Sequence, residues 1–225
     1  MGMDETSKTL FLHGQRLAPF LMGRGIDIGC GSDPVTPDCR GFDVSDGNAE
    51  RIDEFVDDEF DFVWSSHCLE HMSDPRDALG RWWKLVRPGG YLILIVPDED
   101  LYEQGCWPSV FNDDHKATFR LRGRSNWSPV SVDLEWELRS LGAVIRILEV
   151  QDDGLVVHQL ASGPNRVGLV AQVFWGAVAL GLKMLGVTGA VRSEVTRRRG
   201  KLVDQTALSD CRLAQICAVA EKPMP

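Results

Sequence analysis

The sequence predicts an α/β fold built on a mostly parallel sheet, and three observations carry that reading. Short apolar runs that suit strands, "RGIDIG", "RGFDV" and "FDFVW", come early and are bounded by glycine or polar residues. Helix patterns with their own start and stop signals lie around them, and alternation of the two element types is the mark of a parallel sheet. The run "YLILIV" at 91–96 is almost unbroken in apolar character, as expected of a strand covered on both faces.

In chain order, Ser7 to Met22 is helical, with apolar residues at 10, 11, 17, 20 and 21. The three early strands follow. "DPRDALGRWWKLV" is an amphipathic helix in which Asp74 caps and Pro75 fits the first turn. "RPGG" reads as a turn, because Pro88 presets φ and the glycines accept positive φ. After "YLILIV" comes a long polar loop, 98–126. "SPVSVDLEWELRSLG" is the next helix, and "AVIRILEV" and "RLAQICAVAEK" are the last two strands. The 225 residues suit one domain over 1–225. A segment over 155–203 breaks the rhythm: "VGLVAQVFWGAVALGLKMLGVTGAV" is followed by Arg192, Arg197, Arg198, Arg199 and Lys201. It reads as an apolar and basic helical insert. Packing on the core or in a homodimer, peripheral contact of 164–200 with anionic lipid, and a membrane span all remain open for it.

A formal net charge of −9 makes the chain repel nucleic acid. Cys30, Cys39, Cys68, Cys106, Cys211 and Cys217 form no CxxC pair, which fits reduced thiols in the cytoplasm. The start, "MGMDETSK", carries no basic region or apolar run of a leader.

The chemistry concentrates at strand ends. "GIDIGCGSDP" ends a strand on Gly29-x-Gly31, where the backbone can turn sharply and approach a ligand. Asp27 is a carboxylate inside that strand and needs a donor or a cation. Asp43 ends the second strand, either as a turn residue or as an acceptor for both hydroxyls of a ribose. "HCLEH" at 67–71 sets two histidines four apart, as in the inverted HxxEH zinc peptidases. No third ligand at a suitable spacing is evident, so no metal is expected.

The order of these motifs resembles that of the class I S-adenosylmethionine-dependent methyltransferases. "IDIGCGSDP" is similar to their glycine-rich loop, "GFDVS" to the ribose acid and "GNAERI" to the adenine-contacting stretch. "FDFVWSSHCLEHM" is similar to strand four with its exit, and "LVRPGGYLILIVPD" to the turn into strand five. The resemblance implies a Rossmann-like sheet of six or seven strands, helices on both faces, an antiparallel last strand, and S-adenosyl-L-methionine as cofactor. It implies that Asp27 holds the methionine ammonium and that Gly29, Cys30 and Gly31 line the amino-acid part. It places Asp43 on the ribose, Asn48 and Ala49 at the adenine edge, and Ser65 and His67 near the methyl group. "GSDPVTPDCR" is too short for the usual helix, and Pro34 stands where a nicotinamide site has its third glycine.

A hydroxyl acceptor must lose its proton to attack the methyl carbon, and histidine suits that task near neutral pH. His67 leaves strand four. His115 lies in the loop after strand five, with Asp113 or Asp114 to orient it. Tyr102 and Trp107 of that loop offer a wall for a small-molecule or glycan acceptor. The expected function is O-methylation of such an acceptor, lipid-linked if the insert meets the inner face of a membrane. A noncatalytic scaffold that uses the insert to bind a partner, and a nicotinamide oxidoreductase, are the alternatives.

Overall fold

The computed structural model describes residues 4–123, 126–155 and 204–225, with 177, 178, 180, 181, 184 and 185. Its centre is a six-stranded sheet in the order β2-β1-β3-β4-β8-β7. The strands are β1 (Gly25–Ile28), β2 (Arg40–Phe42), β3 (Phe60–Ser66), β4 (Val86–Pro97), β7 (Val144–Gln151) and β8 (Gln215–Glu221). β2, β1, β3 and β4 are parallel, and β8 runs antiparallel between β4 and β7. A second, two-stranded parallel sheet joins β5 (Thr118–Arg120) to β6 (Ser131–Asp133).

The unbroken apolar run of β4 is explained by its two faces. Leu92, Leu94 and Val96 point into one core with Ala218 and Ala220, against Leu79 and Trp82 of helix α2 (Pro75–Lys84). Ile93 and Ile95 point the other way, with Phe62, Trp64, Cys217 and Val219, into a core closed by Leu17 of helix α1 (Glu5–Leu17). Alternate residues of one strand thus leave water on opposite sides. Full burial stabilises by roughly 1.5–3 kcal/mol for each large aliphatic side chain. The helices begin where side chains satisfy their first amides. Asp4 accepts from Ser7 N at 2.9 Å in α1, and Asp74 accepts from the amides of Arg76 and Asp77 at 3.1 Å in α2.

Two expectations are corrected. "RPGG" is the start of β4, with a register irregularity opposite Phe60–Phe62. A Cβ at Gly90 would lie 2.7 Å from the Asp61 carbonyl oxygen, so the two backbones meet where only glycine fits. The helix expected from 128 begins only at Leu134, as α3 (Leu134–Ser140). Ser131–Asp133 is drawn into β6, and the Asp133 carboxylate caps the helix through Trp136 N at 3.0 Å. Apart from a few positions, the insert expected over 155–203 lies outside the described residues, and with it the expected lipid or homodimer contact of 164–200. Among the described residues no helix is long and apolar enough to cross a membrane.

Candidate active site

The carboxyl ends of the parallel strands open onto a cavity of about 710 Å³. β1 stops at Ile28 because Gly29 turns there with φ +81°. A Cβ on Gly29 would lie 2.6 Å from the Cβ of Cys68, so the turn passes as close as backbone can to the exit of β3. Gly29 N donates to the Phe42 carbonyl at 2.8 Å, which seats the turn on the end of β2. The next residue of β2's path is Asp43. Its Oδ2 accepts from Gly31 N at 2.7 Å, and its Oδ1 accepts from Val44 N at 2.7 Å. Two backbone donors fix the carboxylate while each oxygen keeps a lone pair for a further donor.

Gly29, Asp43, Asn48, Ala49 and His67 all line this cavity. Asn48 caps the 3-10 turn Ala49–Glu54 through its Oδ1, on Glu50 N at 2.9 Å. Its amide nitrogen takes no part in the cap. That turn replaces the usual longer crossover and brings Ala49 to the cavity wall. Four expected cofactor residues do not line the cavity. Cys30 and Gly31 are in the turn but do not line the cavity. Ser65 is buried, its hydroxyl donating to the Ile28 carbonyl at 3.0 Å, so it clamps β3 to β1. Asp27 is fully buried beneath the turn, where its Oδ2 accepts from Val35 N at 2.8 Å and its Oδ1 has no hydrogen-bond partner. Burial pushes its carboxyl up to about 7, with Val35 N opposing and the Asp33, Asp4 and Asp43 charges adding to the rise.

A second cavity of about 260 Å³ adjoins the first, and His67 and His71 belong to the walls of both. Its other walls come from Glu5 at the start of α1, Glu70, Tyr102, Asn112, His115, and Asp204, Thr206 and Ala207. His67 sits at φ +51°, a strained backbone for a residue with a Cβ, where the chain leaves β3. Its ring stands 3.4 Å from Glu70 through Nδ1 and 3.2 Å from Gln215 Oε1 through Nε2. Burial opposes charge on this ring, but the Glu70 and Glu5 carboxylates and Gln215 outweigh it and lift the imidazolium pKa to about 9.

His115 is buried, and its Nδ1 lies 2.8 Å from Glu103 Oε1. A carboxylate only accepts, so Nδ1 carries the proton, and in the tautomer this contact selects the lone pair is at Nε2. Asp114 serves a different histidine from the one expected: its Oδ2 is 3.1 Å from His71 Nδ1. Tyr102 lies against the His115 ring at 5.2 Å between centroids. Trp107 is half-buried in the same loop and lines neither cavity. The loop returns to the strand exit because the amides of Lys116 and Ala117 both donate to the Glu70 carbonyl, at 2.8 and 3.2 Å. Glu103 is the site residue that sequence reasoning did not single out, and Glu70 and His71 entered it only as members of "HCLEH". Charge and position in the loop were the only signals for the first, and the HxxEH spacing pointed to His67 instead of Glu70.

A family model for a methyltransferase domain matches residues 6–146, more than half of the chain. The chain belongs to the methyltransferase-domain family. Its sheet is the class I, Rossmann-like one, and the methyl donor that goes with that family is S-adenosyl-L-methionine. A phosphoethanolamine N-methyltransferase of Caenorhabditis elegans is 31% identical over 51 residues, which are 23% of this chain and only 12% of that relative. Two solved structures share the fold. A methyltransferase bound to the Haloferax volcanii Trm112 activator is 14% identical, covers 97% of this chain and 94% of its own, with a TM-score of 0.51. A chain from Bacillus halodurans, described as a methyltransferase, is 11% identical, with 94% and 98% covered and a TM-score of 0.52. The larger cavity of this methyltransferase suits the cofactor in its chemistry. A glycine-walled turn faces a carboxylate anchored to accept hydroxyl donors, and beneath the turn lies a buried carboxylate oxygen without a partner.

Proposed function

We propose that the methyltransferase transfers the methyl group to an oxygen of a small molecule or glycan bound in the smaller cavity. The observation that carries this reading is that His67 and His71 stand in the walls of both cavities. A donor in one and an acceptor in the other then meet at that shared wall. In this reading Asp43 takes the ribose hydroxyls, Asn48 and Ala49 meet the adenine edge, and Gly29 lies against the amino-acid part. The partnerless oxygen of Asp27 faces the methionine ammonium, through water. The cofactor supplies a methyl group already activated as a sulfonium. What the chain must add is alignment in line with the carbon–sulfur bond and exclusion of water, which together are worth roughly 7–11 kcal/mol.

Between the two expected histidines the geometry favours His115. Both ring nitrogens of His67 are engaged, with Glu70 and Gln215, whereas Glu103 takes only Nδ1 of His115. His115 Nε2 is therefore the electron-pair donor of the acceptor side, and Glu103 is its positioning residue. Tyr102 supplies an aromatic wall.

A second reading is N-methylation of an amine, favoured by the three carboxylates Glu5, Glu70 and Asp204 that line the smaller cavity and by the short match to a phosphoethanolamine N-methyltransferase. Labelled methyl transfer into a panel of hydroxyl metabolites, glycans and phosphoethanolamine tests both. Label in a hydroxyl acceptor supports the first reading. Label confined to amines replaces it with the second.

A further inference from the structure

We propose that Glu70, His71 and His115 form a binding site for one divalent first-row transition cation at the wall between the two cavities. The proposal deepens the reading of the smaller cavity as the acceptor site and rests on it only for the cation's use, not for its binding. One donor atom from each of the three residues lies within 4.8 Å of the other two. Ligands about 2.1 Å from a common ion stand roughly 3–3.5 Å apart, so closure needs a contraction of about 1.5 Å or less, within reach of side-chain torsions.

Three further observations point to a ligand there. Glu70 is 1% exposed and its carboxylate accepts no hydrogen bond of normal geometry; the His67 ring stands 3.4 Å from one oxygen, Oε1. The other oxygen is buried without a partner, which is costly, and a cation removes that cost. Each histidine has a carboxylate at its Nδ1: Glu103 at 2.8 Å from His115, Asp114 at 3.1 Å from His71. Histidines that bind a metal through one nitrogen characteristically donate from the other to such a group, which fixes the tautomer and raises ligand basicity. The rings themselves lie 5.1 Å apart at 74°, so they are not stacked. Nε2 of each is left to coordinate; in the ion-loaded chain the His115 lone pair is on the ion, and activation of the acceptor hydroxyl passes from that histidine to the ion.

Two imidazoles and one carboxylate suit zinc, iron(II), manganese or cobalt, and three protein ligands leave positions open. Those positions fall at the smaller cavity, whose walls contain all three residues. An oxygen donor on the acceptor is the class of ligand that fits them, and a coordinated hydroxyl gives up its proton more easily than a free one. The site differs from the one that the spacing of "HCLEH" suggests. His67 turns to Gln215, and the third ligand comes from His115, far along the chain.

The test is a titration of the chelator-treated full chain with Co²⁺ and with Zn²⁺, without cofactor. One ion per chain is expected, with a Co²⁺ visible spectrum typical of a low-coordinate nitrogen–oxygen site. Glu70→Gln and His115→Ala are expected to weaken binding at least 10-fold and Glu103→Gln 10- to 100-fold, while His13→Ala, at a histidine paired with Asp153, leaves it unchanged. Calorimetry with S-adenosylhomocysteine on each variant checks that the fold and the larger cavity persist. Should a variant fail that check, two imidazole nitrogen couplings to the ion bound by the unaltered chain, read by pulsed electron spin resonance with Cu²⁺, carry the test. Binding no tighter than millimolar, or affinity indifferent to Glu70 and His115, overturns the site. Cofactor binding that persists in either case leaves the methyltransfer reading standing.

Discussion

Gly31 N donates to Asp43 Oδ2 at 2.7 Å, which makes the turn after β1 and the carboxylate after β2 a single unit. The two strands are parallel neighbours in register from Ile26 and Arg40 to Ile28 and Phe42, so their ends arrive together. The cofactor wall is thus a consequence of strand pairing, and its weak points can be named.

The first is Gly29. Gly29→Ala meets Cys68 Cβ at 2.6 Å and Sγ at 2.7 Å with φ held at +81°. Positive φ costs an L-residue about 1–2 kcal/mol and overpacking about 1–3, so urea unfolding should show a loss of roughly 2–5 kcal/mol. Gly31→Ala has φ +56° but nothing within 4 Å, and only the conformational cost of about 1–2 kcal/mol should appear. Equal losses in the two variants would remove the close approach at Gly29 from the account.

Asp27 makes a pH prediction. Its carboxyl titrates near 7 in the fold, raised chiefly by burial, against 3.8 as the ordinary value. Between those values the folded chain holds a proton that the unfolded chain has released. Stability must therefore fall as pH rises from about 4 to 7 and level off above, by on the order of 4 kcal/mol from this group. Asp27→Asn, which keeps an acceptor for Val35 N, should flatten that part of the profile in denaturant midpoints measured without cofactor. If the ammonium of the cofactor sits by Asp27, binding at pH 6 should also expel a proton. Calorimetry in two buffers of different ionisation enthalpy reads that release, which should vanish in Asp27→Asn.

The Glu103–His115 pair is buried on both sides. Removing one member of such a pair costs about 3–5 kcal/mol, because the other stays buried without its partner. Glu103→Ala and His115→Ala should each destabilise by about that much in urea unfolding, and the double variant by less than their sum. In activity, His115→Ala should lower kcat by roughly 10²–10⁴ with the cofactor's dissociation constant unchanged. A loss confined to cofactor binding would move His115 out of the acceptor side.

Much of this arrangement was legible in the sequence, for definable reasons. Asp43 and Gly29 stand at strand ends, where a short apolar run simply stops, and such positions are fixed by local pattern. The two-sided burial of β4 follows from composition alone. Ser65 and Asp27 were placed on the right strands, but the hydrogen bonds they make there were not foreseen: the Ser65 hydroxyl donates to the Ile28 carbonyl and the Asp27 Oδ2 accepts from Val35 N. Both lie at or near a strand's end with one polar atom held by backbone, and pleat direction is not readable from a strand entered without alternation. The acceptor side was the least legible. His115 meets Glu70 because two loop amides bond to one carbonyl 46 residues away in sequence numbering, Lys116 to Glu70, and no spacing rule encodes such a contact. The strand inside "SPVSVDLEWELRSLG" was missed because Ser131–Asp133 is only three residues long and exists through its pairing with β5, which no local pattern signals.

The central claim is that the turn at 29–31 and the carboxylate of Asp43 hold one S-adenosyl-L-methionine. Calorimetric titration of the chain and of Asp43→Ala with that cofactor tests it most directly. The account predicts one molecule bound per chain and a loss of roughly 1.5–3 kcal/mol in the variant, the range for hydrogen bonds to a charged group. An affinity that Asp43→Ala leaves unchanged, or no binding by the unaltered chain at millimolar cofactor, would contradict it.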